Sequence, residues 1–121
     1  MKNRVYVIQR QQRIDRRDGS LVDRYDSISS ASEFGELVYL LSPTASPFNP
    51  EQVITELKNK LVVFNGDTDY LLLIGNPCLI GWAVAIASQY SGGKVSLLQW
   101  SGRENKYLKI VARGLRIDPS V

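Results

Sequence analysis

The chain has 121 residues, 44% of them hydrophobic and 22% charged, with a net charge of +3 and no histidine. That length makes one domain with a core of its own. The missing histidine removes the commonest general base, the commonest metal ligand and the usual activator of a serine or cysteine nucleophile.

The single cysteine, Cys78, cannot form an internal disulfide, and without histidine it cannot build a standard structural zinc site. At the start of an apolar helical stretch it reads as a small buried hydrophobe in a reducing compartment. The basic start Met1-Lys2-Asn3-Arg4 has no apolar core behind it, so no secretory leader is expected. The longest apolar stretch, 71–87, is interrupted by Gly75-Asn76-Pro77 and is too short to span a membrane. A cytoplasmic protein is the expectation. Charge is uneven: residues 1–34 carry +2, residues 35–93 carry −3, and residues 94–121 carry +4. Two basic ends that met in space would make one basic face.

In chain order, Val5-Tyr6-Val7-Ile8 is β-branched and aromatic, and predicts a strand. The arginine-rich stretch 9–25 has Asp18-Gly19 as a turn signal. It predicts a projecting hairpin with arms Gln9–Ile14 and Leu21–Tyr25, or a flexible excursion reaching to residue 34. Ser30-Ala31-Ser32-Glu33 has the form of a capping box, with Ser30 as N-cap of a short helical turn that Gly35 stops. Leu37–Leu41 is apolar without alternation and predicts a strand covered on both faces.

Residues 42–50 hold three prolines and form a loop. Asn49-Pro50-Glu51 is a helix start, with Asn49 capping and Pro50 in the first helical position. Val53, Ile54, Leu57 and Leu61 form one stripe of that helix, and Glu56 and Lys60 make an exposed pair worth about 0.3 kcal/mol. Asn65-Gly66-Asp67 turns the chain into a central strand, Tyr70–Ile74. A second helix from Pro77 to about Tyr90 has no charged side chain over residues 79–87 and should be buried nearly all round, in part against a second copy of the protein. Gly92-Gly93 stops it. Val95–Trp100 and Lys106–Ala112 are the last strands, the final one a lysine-bearing edge. Right-handed crossovers make strands 37–41, 70–74 and 95–100 parallel and 106–112 antiparallel. The expected fold is α/β: a single domain, 1–121, with a mostly parallel sheet of four to five strands, two flanking helices and a C-terminal antiparallel hairpin.

In such a sheet ligands collect beyond the C-terminal ends of the strands. Here that place is Gly75, Asn76 and Pro77, joined by Ser42 and by Trp100 and Ser101. Gly75, Asn76, Pro77 and Ser101 are the candidate ligand-binding residues, with Asn76 also a helix cap. Neither nucleotide fingerprint is present, since no Gly-x-Gly-x-x-Gly or Gly-Lys-Ser/Thr occurs there. Asp67 and Asp69 belong to the opposite end of the sheet, in a solvated turn. The arginines of 10–24 could grip phosphates, but interleaved aspartates nearly cancel their charge and only Tyr25 offers a ring to stack a base, so a solvated hairpin or a protein-contact arm is the leading reading of that segment. Arg103, Lys106, Lys109, Arg113 and Arg116, with Tyr107 and Trp100, are the better nucleic-acid-binding candidates.

The stretch Asp69–Pro77, the Gly92-Gly93 helix stop, and Lys94–Trp100 followed by Tyr107 resemble a group of small, uncharacterised proteins encoded by tailed bacteriophages. The resemblance covers the C-terminal half, with an echo in Glu33–Leu37. Members of that group tend to carry aspartate at the place of Asn76, and Lys-Trp-Asp at that of Gln99-Trp100-Ser101. Acids at those places, if catalytic in relatives, are missing here. The resemblance implies a phage protein acting inside an infected bacterium. Together these readings favour a non-enzymatic accessory protein without cofactor or metal. It would self-associate and bind a host or viral macromolecule, away from any membrane. Nucleic-acid binding through the basic C-terminal strand is one alternative. A small-ligand or degenerate enzyme site at Gly75-Asn76-Pro77 is the other.

Overall fold

The computed structural model describes residues 3–117; Met1, Lys2 and Asp118, counted in the charge balance above, lie outside the described residues. The elements are β1 (Arg4–Gln9), β2 (Gln12–Ile14), β3 (Leu21–Asp23), a 3-10 helix (Asp26–Glu33), β4 (Glu36–Leu41), α1 (Pro50–Leu61), β5 (Tyr70–Leu72), α2 (Pro77–Tyr90), β6 (Val95–Ser101) and β7 (Lys106–Ala112). Five strands form one sheet in the order β4-β1-β5-β6-β7, and β2 and β3 form a separate hairpin. All pairings in the large sheet are parallel except β6 with β7.

The first strand lies inside the sheet, between β4 and β5, rather than at an edge. Its position explains its composition: residues 5–9 are all buried, so both faces of the strand must be filled. Tyr6 and Ile8 point to the helical face, in one cluster with Leu40, Leu71 and Val95 of the sheet and Val53, Leu57, Leu61, Leu79, Ala83 and Ala87 of α1 and α2. Val5 and Val7 point the other way, under Ile28 and Ala31 of the 3-10 helix, beside Leu72, Leu98 and Tyr107. Two full helices thus cover one face, and eight residues of 3-10 helix cover part of the other.

Helix α1 follows its sequence signals in burying Val53, Leu57 and Leu61, and Lys60 donates both to Glu56 (2.9 Å) and to the Leu40 carbonyl (2.6 Å). Its cap differs from expectation: the Asn49 side chain makes no capping bond, and only the Asn49 carbonyl serves, accepting from Val53 N–H at 3.2 Å. The box at Ser30 is not formed either. The helix there is 3-10, begins at Asp26, and Ser30 Oγ donates to the Ser27 carbonyl (2.7 Å), leaving it no role as an N-cap.

The central strand ends two residues early. Ile74 N–H turns back onto the Leu72 carbonyl (2.8 Å), a three-residue turn that ends the regular strand, while Leu73 N–H still reaches the Leu98 carbonyl (3.1 Å) and the Ile74 carbonyl still accepts from Gln9 N–H (2.9 Å). Helix α2 departs further from expectation. Leu79, Ala83, Ala87 and Ser88 are buried, whereas Cys78, Gly81, Ala85 and Gln89 form an exposed stripe. Cys78 is therefore an exposed thiol and not a core residue. Burial all round would require cover on the outer side, and α1 and the sheet supply only one side.

The arginine-rich segment is a hairpin pairing Gln12 with Asp23 and Ile14 with Leu21. Its tip is held by Asp15 and Asp18, whose carboxylates accept from the backbone N–H of Arg17 and Ser20, both at 2.9 Å. The Arg17 N–H, then its guanidinium, holds the Asp15 carboxyl below its ordinary range, and the Ser20 hydroxyl (2.6 Å), then its N–H, does the same for Asp18.

Candidate functional site

β1 and β5 are neighbours whose chains leave in opposite directions. After β1 the chain runs to the hairpin and the 3-10 helix on one face; after β5 it enters α2 on the other. That divergence is a topological switch point, where open α/β sheets place their ligand crevice.

One side chain organises the crevice. Gln9, the buried last residue of β1, sends its amide nitrogen to the carbonyls of Ala45 (3.0 Å) and Ser42 (3.2 Å), with Pro43 at 3.5 Å. Its amide oxygen accepts from Asn76 N–H (2.9 Å) and from Gln11 Nε2 (3.2 Å). The loops after β1, β4 and β5 are thereby tied through one amide. Gly75 packs over it with φ +131°, and a Cβ there would lie 2.5 Å from Gln9 Cβ. Only glycine fits, for conformation and for space. Asn76 performs the capping expected of it, its Oδ1 accepting from Cys78 N–H at 2.8 Å.

Two adjoining clefts open around this knot, both touching Tyr25 and Gly75. The polar one, about 380 Å3, is lined by Gln11, Arg24 and Asn76 beside Pro43 and Ala45. The aromatic one, about 330 Å3, is lined by Tyr25, Trp100 and Tyr107 with Leu73, Ile74, Ser27 and Gln99. Trp100 and Tyr107 meet edge to face with centroids 5.0 Å apart, and Arg24 lies 5.8 Å from the Tyr25 ring centroid. Arg10, the residue after β1, is paired elsewhere. It bonds Asp23 (3.2 Å) and sits 4.6 Å from the Tyr39 ring, whose hydroxyl is pushed up in pKa by burial and then by the Asp23 charge.

Of the candidate ligand residues, Gly75 and Asn76 lie at these clefts. Pro77 is the exposed first residue of α2, and Ser101 is the last residue of β6, paired with Lys106, its hydroxyl accepting from Glu104 N–H at 3.1 Å. The five basic candidates are spread out. Lys109 and Arg113 fall on the same side as Tyr107, Lys106 alternates to the other side, Arg103 is in the turn, and Arg116 lies beyond the strand. Lys109 Nζ sits 5.5 Å from the Tyr70 ring centroid. The residues that sequence reasoning passes over are Gln9, Gln11 and Gln99, and Arg24 is discounted there with the rest of its segment. A glutamine closing an otherwise all-apolar strand was the available signal for Gln9.

At the opposite end of the sheet, Asp69 corrects the expectation of a solvated turn. It is buried, and its carboxylate accepts from Asn65 N–H (2.8 Å), Arg4 N–H (3.1 Å) and Thr68 Oγ1 (3.4 Å). Those donors would otherwise be orphaned, so the acid closes the loop. Asp67 is exposed and bonded to Lys94 (2.7 Å), which holds its carboxyl below the ordinary range; Arg113 adds to this. The basic ends do reach this edge through Arg4, Lys94 and Arg113, but three acids, Glu36, Asp67 and Asp69, stand among them. Among the described residues no cluster of three or more His, Cys, Asp or Glu side chains could hold a metal, and no helix is long and apolar enough to cross a membrane.

The fold and crevice define an open, mostly parallel α/β protein with its C-terminal strand ends tied into a polar knot. The chain belongs to the phage Pam3 gp32-like protein family, whose model matches residues 3–113. The phage origin expected from the C-terminal half thus extends over nearly the whole chain. No curated protein and no solved structure matches it.

Proposed function

We propose that this phage protein acts by binding instead of by catalysis, as an accessory protein in the infected host cytoplasm that self-associates and engages a host or viral macromolecule. The observation that carries the reading is the outer side of α2. Fourteen residues run without one charged side chain, and Cys78, Gly81 and Ala85 stand exposed along them, with Trp82 half-buried beside the stripe. Small side chains let a second helix approach closely, and an uncharged stripe offers nothing for a charged partner to select. A two-fold related copy presents the same stripe and meets itself. The Gln9 amide at the strand ends supports the same reading, because both of its ends are spent on holding loops together.

Size-exclusion chromatography with light scattering tests this. The wild type should be a dimer or higher oligomer at tens of micromolar, and Ala85→Arg should convert it to a folded monomer. The exposed Cys78 gives a second readout, since a short bis-maleimide should join two wild-type copies and not two Ala85→Arg copies. A wild-type chain that remains monomeric would remove self-association from the proposal.

A further inference from the structure

We propose that the two clefts at the switch point together hold one nucleotide unit, the base against the aromatic cleft and the phosphate at Arg24 in the polar one. The proposal is independent of self-association and uses none of the β7 basic residues.

The aromatic cleft joins flat rings to polar groups at short range. Tyr25 is 44% exposed and Trp100 37% exposed, while Tyr107 is buried behind Trp100. Two aromatic faces are thus accessible, and the third ring braces one of them. Ser27 and Gln99 line the same cleft; strand alternation turns the Gln99 side chain to the other face from Trp100, so the polar side chain there is the Ser27 hydroxyl. A hydroxyl donates and accepts, which suits the edge of a nucleobase better than that of a hydrocarbon ring. The neighbouring cleft is of opposite character, with almost no apolar wall and one guanidinium. Asp23, the acid next to Arg24 in sequence, is bonded to Arg10, and no ion pair joins Arg24 to an acid whose side chain is described. Gln11 and Asn76 line that cleft with it. A guanidinium flanked by amides recognises a phosphate by charge-assisted bonds. The volumes, about 330 and 380 Å3, together fall within the range of roughly 300–1,000 Å3 usual for small-ligand sites. Tyr25 and Gly75 belong to both clefts, so one ligand can pass from one to the other.

The shared chemistry is a base with its phosphate, which a free mononucleotide and a single-stranded nucleic acid both supply. The experiment titrates the full chain with the common nucleoside monophosphates, the matching nucleosides, ribose 5-phosphate, and short fluorescent single-stranded DNA and RNA. Tryptophan fluorescence and anisotropy provide the readouts. A base stacked on Trp100 quenches its emission, and Trp100→Ala or Tyr25→Ala should weaken binding by roughly 5- to 150-fold, the usual span for loss of a stacking ring. Arg24→Gln should weaken the monophosphate and leave the nucleoside unchanged. Circular dichroism confirms that each variant folds, and Trp100→Phe, which keeps a stacking face, should retain most of the affinity. If the source is a free nucleotide, a monophosphate binds as tightly as the same base within a strand. If it is a polymer, only strands bind tightly, and binding weakens as salt rises. The proposal is overturned if no base-bearing ligand binds at millimolar concentration, or if binding ignores both Trp100→Ala and Arg24→Gln.

Discussion

Replacing Gln9 by leucine tests whether one buried amide holds the C-terminal edge of the sheet. The leucine has nearly the right volume but removes every bond of the knot: the carbonyls of Ala45 (3.0 Å) and Ser42 (3.2 Å) lose their donor, and Asn76 N–H (2.9 Å) loses its acceptor. Ser42 is exposed and its carbonyl recovers water, whereas Ala45 and Asn76 are half-buried. At about 1–3 kcal/mol for each group left unsatisfied, those two cost about 2–6 kcal/mol. At this chain length each kcal/mol moves Tm by about 3–5 °C, so a loss of roughly 6–30 °C is expected. Gln9→Glu gives the contrast. A carboxylate would face two carbonyl oxygens, so the native state favours the protonated acid, which can donate to one of them. Its native pKa is then raised, and the penalty grows as pH climbs through the ordinary glutamate range toward the raised value. Acidification should therefore rescue Gln9→Glu and leave Gln9→Leu unchanged relative to wild type. Melting followed by circular dichroism, at one fixed protein concentration because association shifts Tm, measures both. A Gln9→Leu protein that melts with the wild type would refute the knot as a source of stability.

Gly75→Ala should cost more than about 2 kcal/mol in urea titration, because the φ of +131° strains any side chain and the new Cβ meets Gln9 Cβ at 2.5 Å. In contrast, in an Ala85→Arg background that removes the second copy, Gly81→Ala meets nothing within 4 Å and should stabilise the folded chain by up to about 1 kcal/mol; a loss there would mean that the helix face is covered within the chain. Asp69→Asn leaves an amide group facing the N–H of Asn65 or Arg4, and should cost about 1–3 kcal/mol in the same titration. The Asp67–Lys94 pair sets a pH dependence. Because Lys94 lowers the native pKa of Asp67, its contribution is complete above the ordinary aspartate range and disappears as pH falls through the lowered value. Lys94→Met should return the Asp67 titration, followed by NMR, to the ordinary range, and an unmoved titration would contradict the assignment.

The parallel sheet, both helices and the terminal hairpin were legible because their signals are local: the stripe at Val53, Leu57 and Leu61, the Pro77 start, the glycine stop. What escaped was set by distance along the chain. That β1 lies between β4 and β5 depends on pairings 32 and 65 residues apart, such as Val5 with Leu37 and with Tyr70. Gln9 looked like the first residue of a polar arm because its partners, Ala45 and Asn76, are remote. Asp69 was read as solvated for the same reason, Arg4 N–H being far away in sequence. Cys78 was misplaced by composition: an uncharged helix implies cover on every side, and within one chain the outer side has none. Tyr25, Trp100 and Tyr107 were each noted as rings, and only the fold brings them to one cleft.

The two faces of the sheet have unequal cover, and that inequality separates the two proposed surfaces. On the helical face α1 and α2 bury the sheet, so the free surface there is the back of α2, small and uncharged. On the other face the 3-10 helix covers Val5, Val7 and Leu72 but leaves rings at the strand ends, where Tyr25 and Trp100 are still open to solvent. The surfaces share no residue. Ala85→Arg should therefore abolish self-association and leave nucleotide affinity unchanged, while Trp100→Ala should do the reverse, as far-separated sites perturb independently. Light scattering and fluorescence titration on the same two variants provide the four measurements. Joint loss of both properties in either variant would mean that the nucleotide site is completed by the second copy, and that the two surfaces are one.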